Sequence, residues 1–519
     1  MKVEVTARKS QLHDKVRSMN QIVLTTLNAR YIHAAFGLRY IFANLAELQA
    51  QTVVREFTIH ETALNIAEKI LAEQPKIVGI SVYIWNVSEV TELVGVLKQI
   101  SPELVIVLGG PEVSHPPDLP AVCELADYVV TGAGEKSFYD LCTQLLQRQT
   151  PLNRMIEGVS VPLPQLASPY QYYDAEDIQN RICYVEASRG CPFKCEFCLS
   201  ALDKTAKPFE LGAFLDEMDN LYQKGARNFK FIDRTFNLKV KTSVAILEFF
   251  LARMDDELYL HFEVIPDNLP DDLKEVLKRF PDNRLQFEIG VQTFDPEIQE
   301  LISRRQDNQK TIENLRWLRE HTGAHLHTDL IFGLPGDTLE NFAESFDQLV
   351  ALNPQEIQLG ILKRLRGAPI NRHTDEYQLR YNPVPPYNIL STRDISFSDM
   401  QRVNRFARYW DMIGNSGRFK ITLPTILGDR PFERFLTLSD ALFNASGSTW
   451  KIALKRLFEL VYEVMVGTLL VDSEQSQTVL REDFLRSELK GRLAFEETKP
   501  LTKQKVGKGI ANKRQKMHQ

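Results

Sequence analysis

The sequence has few cysteines for its length and lacks a long apolar run. Six cysteines among 519 residues are too few for a disulfide framework, so we expect a reducing, cytoplasmic location. The longest apolar stretch, residues 460–471, contains Glu463 and is shorter than the ~20 residues of a membrane span, so it predicts a buried helix. Residues 1–20 carry Glu4 and Asp14 and no apolar segment, which excludes a signal peptide.

Length and charge are those of an ordinary multidomain enzyme. Because domains usually run ~100–200 residues, a chain of 519 residues predicts about three of them. The net charge of −6 neither requires nor excludes a nucleic-acid partner. Residues 501–519 contain six Lys or Arg and no acidic residue. They predict a solvated, disordered tail, with nucleic-acid contact as the alternative.

The most informative segment is residues 188–198, SRGCPFKCEFC, in which Cys191, Cys195 and Cys198 follow a C-x3-C-x2-C spacing. Three thiolates can hold three irons of a cubane cluster, whereas a closed iron–sulfur or structural zinc site takes four ligands. The iron left open can bind and reduce a small molecule, so the spacing indicates catalysis. The alternative is a three-cysteine zinc site completed by a distant His or Asp.

The first third of the chain alternates strand-like and helix-like segments. Apolar, β-branched runs predict strands at residues 21–26, 52–57, 77–84, 104–108 and 128–130. They predict an α/β, doubly wound Rossmann-like domain of parallel strands over residues 21–150, after an N-terminal extension over residues 1–20. Ligands of such sheets lie beyond the carboxyl ends of the strands. Gly109, Gly110, Gly132 and Gly134 stand in loops at that edge, where glycine allows close approach of the backbone.

A second alternating series follows residues 151–180, a proline-containing segment that predicts a linker. Strands are predicted at residues 182–187, 228–232, 258–265, 285–291, 325–331 and 356–362. Six βα units predict a partial, TIM-like (β/α)6 barrel over residues 181–375. The cysteine loop follows the first of these strands, at the end of the barrel where catalytic groups lie. Residues 376–500 then predict a mainly helical domain.

Taken together, these features resemble the radical S-adenosylmethionine (SAM) superfamily, in the form with an N-terminal cobalamin-binding-like domain and an uncharacterised C-terminal helical domain. In that family the open iron takes the amino and carboxylate groups of SAM, and one-electron reduction yields methionine and a 5'-deoxyadenosyl radical. The resemblance implies a 4Fe–4S cluster held by the three loop cysteines, SAM and cobalamin. It also implies an external electron donor such as flavodoxin or ferredoxin. Phe197 matches the aromatic residue that the family places beside adenine.

The resemblance implies further roles for residues at the ends of later strands. Asp233 is the candidate for the SAM amino group, although the family's G-G-E form is missing. Glu263 and Glu288 are candidates for the ribose hydroxyls, or for ion pairs inside a polar barrel mouth. Arg304 is the candidate for the SAM carboxylate, because a guanidinium donates two parallel hydrogen bonds. Gly333 lies in the segment that matches the adenine strand, DLIFGLPGDT at residues 329–338.

The cobalamin resemblance has one gap. Family members that supply a cobalt ligand use D-x-H-x-x-G after the first strand, and this sequence has YIHAAFG at residues 31–37 instead. His33 could reach cobalt, but no carboxylate stands in position to orient it. We therefore expect cobalamin to bind beside Gly109, Gly110, Gly132 and Gly134 without a histidine ligand.

The leading functional hypothesis is a radical SAM enzyme that abstracts hydrogen from an unactivated carbon, after which methylcobalamin delivers a methyl group or the substrate rearranges. A methylthiotransferase acting on RNA or protein is an alternative, but it needs three more cysteines upstream. Before the core the sequence has only Cys123 and Cys142. A non-catalytic cobalamin or SAM sensor is the other alternative, and the complete cysteine motif argues against it. No motif indicates the substrate.

Overall fold

The computed structural model describes residues 20–495, so the predicted tail at residues 501–519 and most of the N-terminal extension lie outside the described residues. The first domain is a parallel sheet in the order β2-β1-β3-β4-β5-β6. Its strands are β1 (Ile22–Asn28), β2 (Thr52–Thr58), β3 (Ile77–Ser81), β4 (Val105–Gly109), β5 (Tyr128–Thr131) and β6 (Met155–Glu157). The chain order reverses between β1 and β3, where sheets of this type bind their ligands.

Helices cover both faces of this sheet. They are α1 (Phe36–Ala43), α2 (Ala63–Leu71), α3 (Val87–Ile100), α4 (Val122–Leu125) and α5 (Glu135–Leu146). A further helix, α6 (Ala175–Asn180), precedes the second sheet. All seven residues of β1 are buried, as a central strand with helices on both faces requires. The predicted doubly wound domain is confirmed.

The segment predicted as a linker is more structured than its composition suggests. It contributes β6 to the edge of the sheet, where Val129 pairs with Met155, and it contains α6. The sheet therefore has six strands rather than the five that the pattern predicts. β6 is three residues long and none of them is buried, so it is too short to stand out as an apolar run.

The second sheet is also parallel, in the order β14-β13-β12-β11-β10-β7. Its strands are β7 (Cys183–Val185), β10 (Asn228–Phe231), β11 (Tyr259–Val264), β12 (Leu285–Gln292), β13 (His325–Phe332) and β14 (Glu356–Ile361). Between β7 and β10 lies a small antiparallel pair, β8 (Ser188–Arg189) and β9 (Lys207–Pro208). Because neighbours in sequence are neighbours in the sheet, the sheet forms the predicted open, partial barrel.

Its helices are α7 (Leu211–Gln223), α8 (Val240–Leu251), α9 (Asp271–Leu277), α10 (Pro296–Leu301), α11 (Asn308–His321) and α12 (Leu339–Leu352). Burial alternates strictly along β12, where residues such as Phe287 and Ile289 are buried and residues such as Gln286 and Glu288 are partly exposed. The apolar face of the strand therefore packs in the core. The polar face points into the interior of the barrel, where Glu288 and Gln292 line a cavity.

The C-terminal region is helical, as predicted, and begins with a short hairpin of β15 (Arg380–Tyr381) and β16 (Ile389–Ser391). Its helices are α13 (Phe397–Ile413), α14 (Leu423–Leu427), α15 (Pro431–Ser446), α16 (Leu454–Gly467) and α17 (Ser473–Arg486). The apolar run at residues 460–471 falls largely in α16, whose Leu460 and Val461 are buried. Within residues 20–495 no helix combines the length and apolar character needed to cross a membrane.

Candidate functional site

The cysteine loop is held by a narrow stem. β8 and β9 pair directly before and after it, and the Cys191 amide donates to the carbonyl of Asp203 at 3.1 Å. Gly190 has a φ of +95°, and a Cβ at this position would lie 2.3 Å from the carbonyl oxygen of Thr205. Glycine is therefore required for the chain to close this stem. The loop begins where β7 ends, at the carboxyl edge of the barrel.

All three predicted cluster cysteines line one cavity of about 270 Å³ at this edge, together with Phe197. The Arg304 guanidinium lies 3.5 Å from the sulfur of Cys195. Burial raises the pKa of the Cys195 thiol, and the positive charge of Arg304 opposes that shift. A cation beside the thiol favours the thiolate, which is the form that binds metal.

The donor set fits a four-iron cluster, because three thiols face one cavity and the loop supplies no fourth ligand. In such a cluster each thiolate binds a different iron, so the sulfurs need not surround a single point. Within residues 20–495 no three His, Cys, Asp or Glu side chains are grouped around a position for one metal ion. Cys183, the nearest other thiol, is buried within β7.

Glu196, between the second and third cysteines, is a site residue that sequence reasoning missed. Its carboxylate is buried and accepts hydrogen bonds from Ser303 at 2.6 Å and from the Arg372 guanidinium at 2.8 Å. His373 Nε2 lies 3.1 Å away, and the Ile370 amide donates to the Glu196 carbonyl. These contacts tie the cysteine loop to α10 and to the segment after β14. The signal available in the sequence was an acidic residue between two predicted metal-binding cysteines.

We expect Glu196→Ala to shorten the lifetime of the cluster severalfold, because the Ser303 hydroxyl loses its acceptor and the loop loses its tether. Arg372→Ala is the matched control. Its side chain is 61% exposed, and exposed ion pairs contribute ~1 kcal/mol or less. The effect is measured as the loss of the brown absorption of the iron–sulfur cluster in the presence of a chelator. Equal lifetimes for Glu196→Ala and the wild type would contradict the tether.

The two predicted glutamates line the same cavity and form ion pairs. Glu263 accepts from Arg234 at 2.9 and 3.0 Å. Glu288 accepts from Lys230 at 3.0 Å and lies 3.0 Å from His261 Nε2. Burial lowers the pKa of His261 to about 4, so Lys230 is the charged partner of Glu288 at neutral pH. We considered these carboxylates either as ligands of the ribose hydroxyls or as members of ion pairs. The contacts in the structure are ion pairs.

Arg304 lines the cavity as predicted, as does its neighbour Arg305. The Arg304 guanidinium also donates to the carbonyl of Gly290 and, at 2.8 Å, to Gln306. These two acceptors fix its plane against the wall of the cavity. Because Nε and both donors of Nη2 are used in this way, Nη1, which lies beside Cys195, is the nitrogen left to donate to a carboxylate.

The structure does not bring two of the predicted residues into this cavity. Asp233 points the other way, and its oxygens accept from the Ala187 amide at 2.9 Å and the Ser188 hydroxyl at 2.6 Å. It therefore holds the chain where β7 leaves the sheet, and Arg234 lines the cavity instead. Gly333 has a φ of +90°, and a Cβ there would lie 2.7 Å from a side-chain carbon of Ile389. Glycine at this position allows β16 to pack closely.

Residues 381–391 form an irregular, aromatic stretch that by its sequence could close over the barrel mouth, but in the structure it packs elsewhere. The Ile389 amide donates to the carbonyl of Leu362 at 2.8 Å, and the Arg364 amide donates to Tyr387 at 3.0 Å. The segment therefore extends the exit of β14. None of its residues lines the cysteine cavity.

Asp233 should make stability depend on pH. Burial raises its pKa to about 7, above the ~3.9 of an unfolded chain, so the folded protein binds this proton more tightly. Stability is therefore lost as the pH rises from about 4 through 7, by about 4 kcal/mol in all. Asp233→Asn removes the ionisation and should flatten this slope in urea unfolding between pH 5 and 8. Identical slopes for both proteins would contradict the assignment.

A larger cavity of about 780 Å³ lies at the carboxyl edge of the first sheet. The four predicted glycines, Gly109, Gly110, Gly132 and Gly134, all line it. A Cβ at Gly110 would lie 2.5 Å from the carbonyl oxygen of Val82, so Gly110 is needed for the loop itself. A Cβ at Gly109 would meet only the Val130 carbonyl, at 3.7 Å, so that position is open towards the cavity.

His33 also lines this cavity, but it is held by the second domain. Its Nδ1 lies 2.7 Å from the Tyr184 hydroxyl, and its carbonyl accepts from Arg181 at 2.6 Å. Burial lowers the pKa of the imidazole. Tyr83 and Trp85 also line the cavity, and their stacked rings have centroids 4.3 Å apart. A cavity of this size that is lined by glycine backbone and aromatic rings fits a large planar macrocycle.

Three family models match consecutive parts of the chain. Residues 22–141 match the B12 binding domain, and residues 185–349 match the radical SAM superfamily. Residues 375–518 match a family described as a protein of unknown function, DUF4080. The order of these three matches agrees with the order of the domains in the fold.

Two curated relatives are similar over much of the chain. An uncharacterized methyltransferase of Pyrococcus horikoshii is 26% identical over 329 residues, which span 59% of this chain and 70% of the relative. The cobalamin-dependent radical SAM methyltransferase TokK of Streptomyces tokunonensis is 26% identical over 356 residues, 60% of this chain and 51% of TokK. The chain therefore spans about half the length of TokK.

Solved structures share the fold. The cobalamin-dependent SAM radical enzyme OxsB, solved with aqua-cobalamin bound, matches 92% of this chain and 81% of its own, with a TM-score of 0.62 at 15% identity. TsrM of Kitasatospora setae, a radical SAM methyltransferase, matches 71% and 79% with a TM-score of 0.56 at 19% identity. By its three family matches the chain combines a radical SAM domain over residues 185–349 with a B12-binding domain before it and a DUF4080 domain after it.

Proposed function

We propose that the protein is a cobalamin-dependent radical SAM methyltransferase that acts on an unactivated carbon of its substrate. The observation that carries this proposal is the position of the larger cavity. Its walls include Tyr184, Glu186, Arg189 and Ile232, which belong to the radical SAM core. A corrinoid in the first domain would thus face the barrel. Methyl transfer to a substrate in the barrel requires this arrangement, whereas the sensing of a bound corrinoid does not.

The cysteine cavity supports the radical part of the proposal. Cys191, Cys195 and Cys198 would hold the cluster, Arg304 would orient the SAM carboxylate, and Phe197 would lie beside adenine. The Arg234–Glu263 pair would bound the site on its other side. When bound, the cluster supplies the electron that cleaves SAM and the corrinoid supplies the methyl group. The electron comes from an external reductant, for which we propose a flavodoxin or ferredoxin of the reducing cytoplasm.

The domain division follows from the same reasoning. We propose that residues 21–150 bind the corrinoid, residues 181–375 generate the radical, and residues 376–500 help to select the substrate. Residues 151–180 would join the first two units, and α6 already packs between them through Asp177, which pairs with Arg39 and Arg181.

A methylthiotransferase is the weaker alternative, because its second cluster needs three upstream cysteines. Cys142 is completely buried in α5, and Cys123 lies on α4. Burial raises the pKa of Cys123 to about 11, which disfavours its thiolate. These two thiols belong to the packing of the first sheet.

The test is anaerobic reconstitution with iron, sulfide and hydroxocobalamin, followed by reduction in the presence of SAM labelled in its methyl group. We expect 5'-deoxyadenosine from radical cleavage and S-adenosylhomocysteine from methylation of the bound corrinoid. A protein with its cluster fully assembled that forms neither product would contradict enzymatic function. Formation of 5'-deoxyadenosine without any bound corrinoid would retain the radical chemistry and overturn methyl transfer.

A further inference from the structure

Arg189 lies between the two cavities. It belongs to β8, two residues before Cys191, so its backbone is part of the stem that closes the cysteine loop. Its side chain leaves the loop and lines the larger cavity of the first domain. One residue is thus shared by the predicted cluster loop and the predicted corrinoid site.

The guanidinium of Arg189 joins two buried carboxylates from different domains. It donates to Glu186 at 3.1 and 3.0 Å, and to Glu135 at 2.9 Å. Glu135 is the first residue of α5, directly after the loop that carries Gly132 and Gly134. Both acids line the larger cavity. One cation therefore balances two buried negative charges across the domain boundary.

The ring of Tyr40 completes this cluster, with its centroid 4.8 Å from the Arg189 guanidinium carbon. A planar guanidinium that is stacked on a ring and held by two carboxylates has little freedom to rotate. The stem that follows Arg189 is also constrained, because a Cβ added at Gly190 would lie 2.3 Å from the carbonyl oxygen of Thr205. Because Arg189 and Gly190 have little freedom to rotate, a movement of the loop before Glu135 would also move Cys191.

We propose that Arg189 is a positioning residue that couples occupancy of the corrinoid cavity to the geometry of the cluster loop. A corrinoid packed against the glycine loops would hold Glu135 in place. Glu135 would then hold the Arg189 side chain, and with it the backbone that leads to Cys191. The proposal rests on the proposed function, since it needs both cofactors to bind. By linkage the effect is reciprocal, so SAM at the cluster must alter corrinoid affinity by the same factor.

The test measures coupling between two ligands and needs no substrate. SAM binding to the protein with its oxidised cluster is measured by equilibrium dialysis with labelled SAM, with and without saturating hydroxocobalamin. In the wild type we expect the corrinoid to tighten SAM binding about fivefold or more, at the lower end of coupling between two sites. In Arg189→Gln we expect both ligands still to bind, with a coupling factor near one. The electron paramagnetic resonance spectrum of the reduced cluster should respond to the corrinoid only in the wild type.

Arg366→Gln is the matched control. Arg366 also joins the two domains, through Glu112 at 2.9 Å and through Asp118, but it follows β14 and lines neither cavity. It should retain the wild-type coupling factor. Loss of coupling in Arg366→Gln would assign the effect to domain docking and overturn the proposal, as would unchanged coupling in Arg189→Gln.

Two further outcomes separate this proposal from the function it rests on. A wild type that binds corrinoid and SAM independently overturns the role of Arg189 alone. A wild type that shows no corrinoid absorption overturns that role together with methyl transfer. If Arg189→Gln does not fold, Glu135→Gln serves in its place, because it leaves the Arg189–Glu186 pair intact and should abolish the coupling equally.

Discussion

Replacing Cys191, Cys195 or Cys198 with alanine is expected to abolish both the brown chromophore and the cleavage of SAM. Each thiol would hold one iron, and the loop has no fourth thiol to replace the one that is lost. Iron content, the absorption spectrum and the yield of 5'-deoxyadenosine measure the effect after anaerobic reconstitution. We expect background values for all three variants.

The matched control is a variant with Cys123→Ser and Cys142→Ala. Alanine is preferred at position 142 because the side chain is completely buried, and a hydroxyl there would lack a partner. This variant should keep the cluster and the cleavage activity. A loop variant that retained full iron and full cleavage would remove that cysteine from the site.

Replacing Gly109 with leucine is expected to weaken corrinoid binding by about 100-fold or more, which corresponds to about 2.8 kcal/mol. Its Cβ would meet only the Val130 carbonyl, at 3.7 Å, so the backbone accepts the substitution. The rest of the side chain would then occupy the cavity that Gly109 lines. Titration with hydroxocobalamin, followed by absorption, measures the affinity.

Gly95→Leu is the matched control, because Gly95 lies in α3 and a Cβ there has no neighbour within 4 Å. It should bind the corrinoid like the wild type. Gly110 is unsuitable for this test, since its substitution would distort the loop itself. His33→Ala should leave both the affinity and the cobalt spectrum unchanged. A spectral change in that variant would instead identify His33 as a cobalt ligand.

The architecture was largely predictable because both sheets are parallel. The central strand of the first sheet is buried on both faces and reads as a continuous apolar run, whereas barrel strands such as Leu285–Gln292 alternate between buried and partly exposed residues. The two patterns together located all six strands of the barrel, from Cys183–Val185 to Glu356–Ile361. β6 escaped prediction because it is short and not buried. Its position comes from pairing with β5, which is a tertiary interaction.

The candidate site was predictable only in part. The strand pattern predicts where the backbone of a residue lies, but it does not predict the direction in which the side chain points. Asp233 follows β10 as predicted, yet its carboxylate turns towards the Ala187 amide and the Ser188 hydroxyl. Where β7 ends, these donors need an acceptor. The adjacent Arg234 takes the position facing the cysteines.

The sequence by itself indicated the chemistry, since the spacing of three cysteines predicts an open cluster and the strand pattern places the cysteine loop at the end of a barrel. The tertiary structure alone decided which side chains join distant segments. Glu196 meets Arg372, and Arg189 meets Glu135, across more than 50 positions of the chain. Such contacts depend on how the domains pack, and neither local periodicity nor spacing carries that information.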